Sequence, residues 1–233
     1  MEIRLDHPSS CIEILALRHG KTAYTDIFPD ITKEGEVDVR HIANIAVLPW
    51  ITKHNISQGE LCVVASPAPR AQGTAVTILH ELARPERITT EHALSPMIWR
   101  DKTAALHALE GLRGKGYIDY EKEPVFADPK IFETPEEVRL RWYGFFADYI
   151  RANYRFSTIP HYAVMVAHYE LLCNLSRDLF GITSTEENAL RHTEPIYLSV
   201  SSMTTDGHVS VLGHFRGKSS LATFDLNSFS FLR

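Results

Sequence analysis

An apolar run leads into a basic, glycine-containing turn at Ile12-Glu13-Ile14-Leu15-Ala16-Leu17-Arg18-His19-Gly20. Apolar residues fill nearly every position of the run, which is typical of a strand covered on both faces, as in a parallel sheet. Charged side chains that directly follow such a strand lie at the carboxyl end of the sheet, where α/β proteins bind their ligands. The stretch therefore predicts a buried strand and a ligand site at its end.

The rest of the chain alternates between apolar runs and helical patterns. Further strands are predicted at 61–65, 162–167, 196–200 and 209–213, and helices at 33–48, 69–82, 134 to about 153, and 171–180. Thr134, Pro135 and Glu137 form a helix start signal, and Gly181 can end the last helix. This alternation predicts an α/β fold, a three-layer α/β/α sandwich with a mostly parallel central sheet.

Length and composition exclude several classes of protein. The chain has 233 residues and no visible repeat or linker, so we predict one domain, 1–233, with oligomeric state open. A net charge of −5 without a basic block argues against nucleic acid as a partner. The absence of a long apolar run or a secretory signal, and three widely spaced cysteines (11, 62 and 173), predict a cytoplasmic protein with no membrane contact and reduced, buried thiols.

Arginine and histidine follow three of the predicted strands. Arg18 and His19 come after the first, Arg70 after the second and His168 after the third. Guanidinium groups bind phosphate oxygens, a neutral imidazole can attack phosphorus, and a second imidazole can donate to the phosphoryl oxygens. If the strands are parallel, the four side chains converge into a phosphate site that needs no metal or cofactor. The other histidines, His192 among them, show no metal-ligand spacing, and we interpret them as structural or solvated.

At these residues the sequence resembles the histidine phosphatase superfamily, the phosphoglycerate mutase-like group. The similar segments are Leu-Arg-His-Gly-Lys-Thr at 17–22, Ile-Thr-Lys-Glu-Gly at 31–35, Ala-Ser-Pro-Ala-Pro-Arg-Ala-Gln-Gly-Thr-Ala at 65–75, and Val-Met-Val-Ala-His at 164–168. The resemblance implies a phosphohistidine intermediate on His19, with Arg18, Arg70 and His168 as the phosphate pocket. Thr25 stands where the family often has asparagine, so we expect it to contact substrate.

Some positions depart from the family pattern. Tyr169 replaces the glycine that usually follows the second histidine, and Phe132 replaces the glycine before Glu133, which leaves the role of Glu133 open. The family commonly has a glutamate as general acid in a Leu-x-Glu segment, and here Pro96 falls in that slot. The remaining candidates for this acid are Glu91, Asp101 and Glu170, or no residue at all.

The resemblance implies a metal-independent phosphatase that hydrolyses a phosphomonoester and takes a small phosphorylated substrate. A phosphoglycerate mutase-like phosphoryl transferase is an alternative, although no Glu-Arg-His-Tyr-Gly run is present. A non-catalytic member that only binds a phosphorylated ligand is another. The segment 102–133 resembles the variable cap of the family, and the sequence does not indicate the substrate.

Overall fold

The computed structural model describes residues 12–23, 29–85, 87–112, 118–154 and 160–232. The strands are β1 (Ile12–Arg18), β2 (Leu61–Ala65), β3 (Ile88–Thr90), β4 (His161–Ala167), β5 (Pro195–Ser201), β6 (His208–Phe215), β7 (Lys218–Asp225) and β8 (Ser230–Leu232). The α-helices are α1 (Lys33–Ile42), α2 (Leu48–His54), α3 (Pro69–Glu81), α4 (Lys102–Glu110), α5 (Pro135–Asn153) and α6 (Tyr169–Phe180).

All these strands form one mixed sheet in the order β3-β2-β4-β1-β5-β6-β7-β8. Neighbours from β3 to β1 run parallel, and every pairing from β1–β5 onward is antiparallel. The burial pattern agrees with this change from parallel to antiparallel pairing. Strand β1 is buried almost throughout, whereas β5 and β6 bury mainly alternate residues. The predicted α/β class is confirmed, with the parallel strands at the centre of the sandwich.

Two apolar cores lie on the two faces of the sheet. Alternate residues of β1 point to opposite faces: Ile12, Ile14 and Ala16 join one core, and Leu15 and Leu17 join the other. The first core contains the buried sides of α5 and α6, and the second contains those of α1, α2 and α3. Helices on both faces of a sheet make the three layers that the sequence predicts.

The first predicted helix ends too early at residue 48. Instead, α1 continues through a π-helical turn, Ala43–Val47, into α2, and the chain ends this helical run at Asn55 with a φ of 52°. Proline lacks an N–H group and usually ends a helix. Here Pro49 falls in the first turn of α2, directly after the wider π-helical turn, where a proline is tolerated.

The other local signals act as predicted. Thr134 and Glu137 form both halves of a capping box at the start of α5. Gly181, with a φ of +67°, ends α6 in the left-handed conformation that glycine favours. However, α6 begins at Tyr169, directly after His168 and two residues before the predicted start.

The segment 102–133 packs against the start of α6. It contains α4 and a short 3-10 helix, Pro124–Ala127, and residues 113–117 lie outside the described part. The Tyr120 hydroxyl donates to the Glu170 carbonyl oxygen at 2.7 Å, and its ring meets Tyr169 edge-on. The prediction of one domain with a variable cap in this segment stays a prediction.

Two further expectations concern membrane contact and the cysteines. None of the described helices is long and apolar enough to cross a membrane. Cys173 is buried and Cys62 is half-buried, and neither forms a disulfide, whereas Cys11 lies outside the described residues. The expectation of reduced thiols stays a prediction.

Two glycines let α1 pack directly on the turn that follows β1. A Cβ atom on Gly35 would lie 2.3 Å from the Lys21 carbonyl oxygen, and one on Gly20 would lie 2.8 Å from Cγ2 of Val39. The Thr32 hydroxyl caps α1 by accepting from the Gly35 N–H at 3.0 Å. The start of α1 thereby holds residues 18–22 against the sheet.

We expect Gly35→Ala to lower the free energy of unfolding by about 1–3 kcal/mol, because the added methyl group meets backbone that cannot rotate away. This cost exceeds the gain of up to about 1 kcal/mol in helix propensity from glycine to alanine. Urea unfolding measures it. Gly59→Ala is the control, since a Cβ there meets nothing within 4 Å, and equal stability of the two variants would contradict the packing argument.

Candidate active site

The carboxyl ends of three parallel strands meet at one edge of the sheet. Because β4 lies between β1 and β2, Arg18 pairs with Ala167 and Ala65 pairs with Val166. Backbone hydrogen bonds continue past the strands, from the His19 N–H to the Ala167 carbonyl oxygen at 3.1 Å. His168 therefore follows the central strand of the three, with the residues after β1 and β2 on its two sides.

His19 is buried, with 2% of its surface exposed. Its Nδ1 donates to the Gly20 carbonyl oxygen at 2.8 Å, and its Nε2 accepts from Nε of Arg70 at 3.2 Å. Burial lowers the pKa of His19 well below its usual value, and the charges of Arg70 and Arg18 lower it further. The ring is thus neutral at physiological pH and presents the lone pair of Nε2 to the pocket.

His168 lies beside His19, with 5.0 Å between the ring centroids and only 1% of the residue exposed. Its Nε2 shares a hydrogen bond of 2.8 Å with the Ser66 hydroxyl, and its Nδ1 is buried without a partner. Burial again lowers the pKa of His168 well below the usual range, and the neighbouring positive groups add to the effect. Nδ1 is therefore the nitrogen that remains for a ligand.

The two predicted arginines contribute their charge to the same pocket. Arg18 donates from Nη1 to the Leu190 carbonyl oxygen at 2.6 Å, and its guanidinium carbon lies 5.0 Å from the centroid of the Tyr169 ring. Tyr169 thus supports Arg18 through a cation–π contact in this chain. Arg70 is 8% exposed and contacts His19 directly, so the structure brings all four predicted catalytic residues together.

Thr74 ties the turn after β1 to helix α3. Its hydroxyl accepts from the Gly20 N–H at 2.8 Å and donates to the Arg70 carbonyl oxygen at 2.6 Å. Thr74 is fully buried, so these bonds are not exchanged with water. One side chain therefore fixes the turn that carries His19 relative to the first turn of α3, which carries Arg70.

His192 is the residue of this site that sequence reasoning missed. Its ring centroid lies 5.4 Å from that of His19, and its Nε2 is buried without a partner. Burial and the charges of Arg18 and Lys21 lower the pKa of His192 to about 4. Strand direction is the signal that could have found it. Because β5 runs antiparallel to β1, the residues before β5 lie beside His19, and those after it do not.

The three carboxylates predicted as candidates for the general acid have other contacts. Glu91 accepts from the Ala93 N–H at 2.8 Å and caps a short 3-10 helix, and Asp101 is exposed and caps α4. Glu170 lies in the first turn of α6. Within the described residues, no hydrogen bond or ion pair joins a carboxylate to His19, His168 or His192, and Thr25 lies outside those residues.

The role of Glu133 is now defined by its contacts. This residue is 5% exposed and accepts from Nε and Nη2 of Arg141 at 2.7 and 2.6 Å. Arg141 also donates to the carbonyl oxygens of Ala93, Ser95 and Pro96. The pair therefore fixes residues 93–96 beside the site. This segment contains Pro96, which stands where the similar family has its acid.

Buried polar atoms without partners concentrate at this edge of the sheet. Five such side-chain atoms occur among the described residues, and four of them belong to Arg18 (Nε), Thr22 (Oγ1), His168 (Nδ1) and His192 (Nε2). Buried polar groups normally have partners, so a cluster of this kind is typical of a ligand-binding site. An anion with several acceptor oxygens fits these atoms, because the guanidinium charges of Arg18 and Arg70 lie in the same pocket.

In the part of the chain that the structure describes, no group of three or more His, Cys, Asp or Glu side chains is arranged to hold a metal ion.

The lowered pKa values of the buried histidines predict that the protein loses stability at mildly acidic pH. Unfolded histidine takes up a proton near pH 6.5, whereas folded His19, with its lowered pKa, stays neutral, so acid favours the unfolded chain. Between pH 6.5 and the pKa of folded His19, this residue then lowers the free energy of unfolding by up to about 1.4 kcal/mol for each unit that the pH falls.

Urea unfolding from pH 7 to pH 5 tests this sign. The slope of stability against pH should be smaller in His19→Asn than in the wild type, because asparagine does not titrate. His41→Asn, on the exposed side of α1, should keep the wild-type slope. Parallel curves for the wild type and His19→Asn would show that His19 does not stay neutral in the folded protein.

Comparisons with known proteins add a fold but no sequence relative. No family model matches the sequence, and no curated protein matches it. A mycobacterial glucosyl-3-phosphoglycerate phosphatase superimposes with a TM-score of 0.57 at 18% identity, over 82% of this chain and 91% of that one. A phosphoglycerate mutase from Bacillus anthracis str. Sterne superimposes with a TM-score of 0.58 at 15% identity, over 95% and 96% of the two chains.

Another structure of the mycobacterial phosphatase, complexed with VO3, gives a TM-score of 0.58 at 17% identity over 82% of this chain and 92% of that one. These similarities cover most of each chain. The chain therefore has the phosphoglycerate mutase-like fold of these phosphatases and mutases, as the histidine phosphatase resemblance implied.

Proposed function

We propose that this protein is a phosphatase that hydrolyses a small phosphomonoester through a phosphohistidine intermediate on His19. The observation that carries the proposal is the state of His19. The Gly20 carbonyl oxygen holds the proton on Nδ1, so the lone pair of Nε2 faces a pocket with two guanidinium groups. A neutral imidazole with a free lone pair is the nucleophile that attack on phosphorus requires.

In the first step, the phosphoryl group of the substrate enters beside His19. Arg70, which donates to Nε2 at 3.2 Å in the free protein, transfers its hydrogen bond to a phosphoryl oxygen and releases the lone pair. Nε2 then forms a bond to phosphorus while the bond between phosphorus and the leaving oxygen breaks. The leaving oxygen takes a proton and departs as an alcohol.

Positive charge around the phosphoryl group stabilises this step. Arg18 and Arg70 neutralise the oxygens, and His168 donates from Nδ1, its nitrogen without a partner. Arg70 lies in the first turn of α3 and His168 directly precedes α6, so the amino-terminal dipoles of both helices add positive potential. Because these groups supply the charge stabilisation that phosphoryl transfer needs, we propose a reaction without metal or cofactor.

In the second step, water attacks the phosphorus of the phosphohistidine, and the bond to Nε2 breaks to release inorganic phosphate. The mycobacterial phosphatase of the same fold has structures with VO3 and with inorganic phosphate, which supports a phosphate-like anion as the ligand. Thr25, six residues after His19, remains a proposed contact to the substrate. The pocket alone does not select among phosphorylated metabolites.

Hydrolysis of p-nitrophenyl phosphate in the presence of a chelator tests the proposal. We expect the wild type to release phosphate, and His19→Asn to lose nearly all of this activity, because asparagine cannot form the intermediate. The matched control is His41→Asn, which removes an exposed histidine from α1 and should retain full activity.

Four results would contradict the proposal. Equal activity in the wild type and His19→Asn would place the chemistry elsewhere, and loss of activity on chelation would show that a metal takes part. A protein that binds phosphate tightly but hydrolyses none of a broad set of phosphomonoesters would be the non-catalytic binder. Transfer of phosphate between positions of one metabolite, without its release, would instead identify a mutase.

A further inference from the structure

The proposed reaction leaves one proton to be assigned. An alkoxide is a poor leaving group, so the ester oxygen must be protonated as its bond to phosphorus breaks. Pro96 occupies the slot where the similar family has its glutamate, and Arg141 binds the carbonyl oxygen of that proline. Among the described residues, no hydrogen bond or ion pair joins a carboxylate to His19, His168 or His192.

His192 has the position that a donor to the reacting phosphoryl group requires. His19 is flanked by two imidazoles, with ring centroids at 5.0 Å for His168 and 5.4 Å for His192. Each of the two has one buried nitrogen without a partner, Nδ1 of His168 and Nε2 of His192. A phosphoryl group bound at His19 therefore lies within reach of both.

The backbone holds His192 at this place. The Thr193 N–H donates to the Arg18 carbonyl oxygen at 3.0 Å, which ties the segment before β5 to the end of β1. Thr193 has a φ of +58°, a conformation that is costly for a β-branched residue. Such strain persists where surrounding contacts fix it and is concentrated at functional sites.

Exposure distinguishes His192 from His168, because positive charges lie near both. His192 is half-buried and is influenced by Arg18 and Lys21, whereas His168 is almost fully enclosed. In the free protein, burial lowers the pKa of His192 most and these positive groups lower it further, so the ring is neutral. A bound phosphate brings negative charge next to Arg18 and offsets this effect, so His192 can hold a second proton when substrate is present.

We propose that His192 is the general acid of this site and donates the Nε2 proton to the leaving oxygen of the substrate. The inference rests on the proposed function. As Nε2 of His19 bonds to phosphorus, the ester P–O bond breaks, and the leaving oxygen takes the proton from the His192 imidazolium. The neutral His192 then accepts a proton from the water that attacks the phosphohistidine, and it releases this proton to solvent when the inorganic phosphate leaves.

Two substrates with different leaving groups test the assignment. Phenyl phosphate and p-nitrophenyl phosphate are similar in shape, but phenolate needs a proton far more than p-nitrophenolate does. In His192→Gln the amide is a hydrogen-bond donor near the Nε2 position and cannot act as an acid. We expect kcat for phenyl phosphate to fall by about 10²-fold or more and that for p-nitrophenyl phosphate to stay within about threefold.

Two further variants complete the experiment. Glu91→Gln tests the carboxylate candidate and should leave the ratio of the two kcat values at the wild-type level. His214→Gln, an exposed histidine of β6, is the matched control and should leave both kcat values unchanged. Circular dichroism and binding of inorganic phosphate establish that the His192 variant is folded and has kept its pocket.

The failure of this inference differs from the failure of the proposed function. If the wild type hydrolyses both substrates but His192→Gln slows them equally, or slows neither, His192 is not the acid and the phosphatase proposal stands. A selective loss on phenyl phosphate in Glu91→Gln would assign the role to that carboxylate instead. If the wild type hydrolyses neither substrate and His19→Asn changes nothing, both proposals are wrong.

Discussion

A single hydrogen bond, from Nδ1 of His19 to the Gly20 carbonyl oxygen, determines which nitrogen of the imidazole faces the pocket. The rest of the site depends on it, because Arg70 can donate to Nε2 only while that nitrogen has no proton. The bond in turn needs a fixed turn after β1. Thr74 supplies this through the Gly20 N–H, and the close packing of Gly35 on Lys21 supports it from α1.

Much of this arrangement could be predicted from the sequence, because the relevant signals are local. An apolar run predicts a buried strand, and parallel strands bring their carboxyl ends together, so Arg18, His19, Arg70 and His168 were expected in one crevice. The capping box at Thr134 and the glycine at 181 also act through neighbouring residues. The predicted α/β sandwich follows from the same alternation of strands and helices.

What could not be predicted depends on strand direction and on contacts between distant segments. His192 lies before β5, and it reaches the site only because β5 pairs with β1 antiparallel, with Leu17 opposite Pro195. If every strand of the sheet ran parallel, His192 would lie at the opposite edge of the sheet. Likewise, only the fold shows that Glu133 binds Arg141, and that a π-helical turn carries the first helix past residue 48.

The central claim is that His19 becomes covalently phosphorylated. Quenching the protein in alkali during turnover of p-nitrophenyl phosphate, followed by mass spectrometry of its peptides, tests this directly, because a phosphoramidate survives base and is lost in acid. We predict phosphate on the peptide that contains His19, formed and consumed as fast as the substrate turns over, and absent from His19→Asn. Turnover without a phosphorylated protein, or phosphate on another residue, would contradict the account.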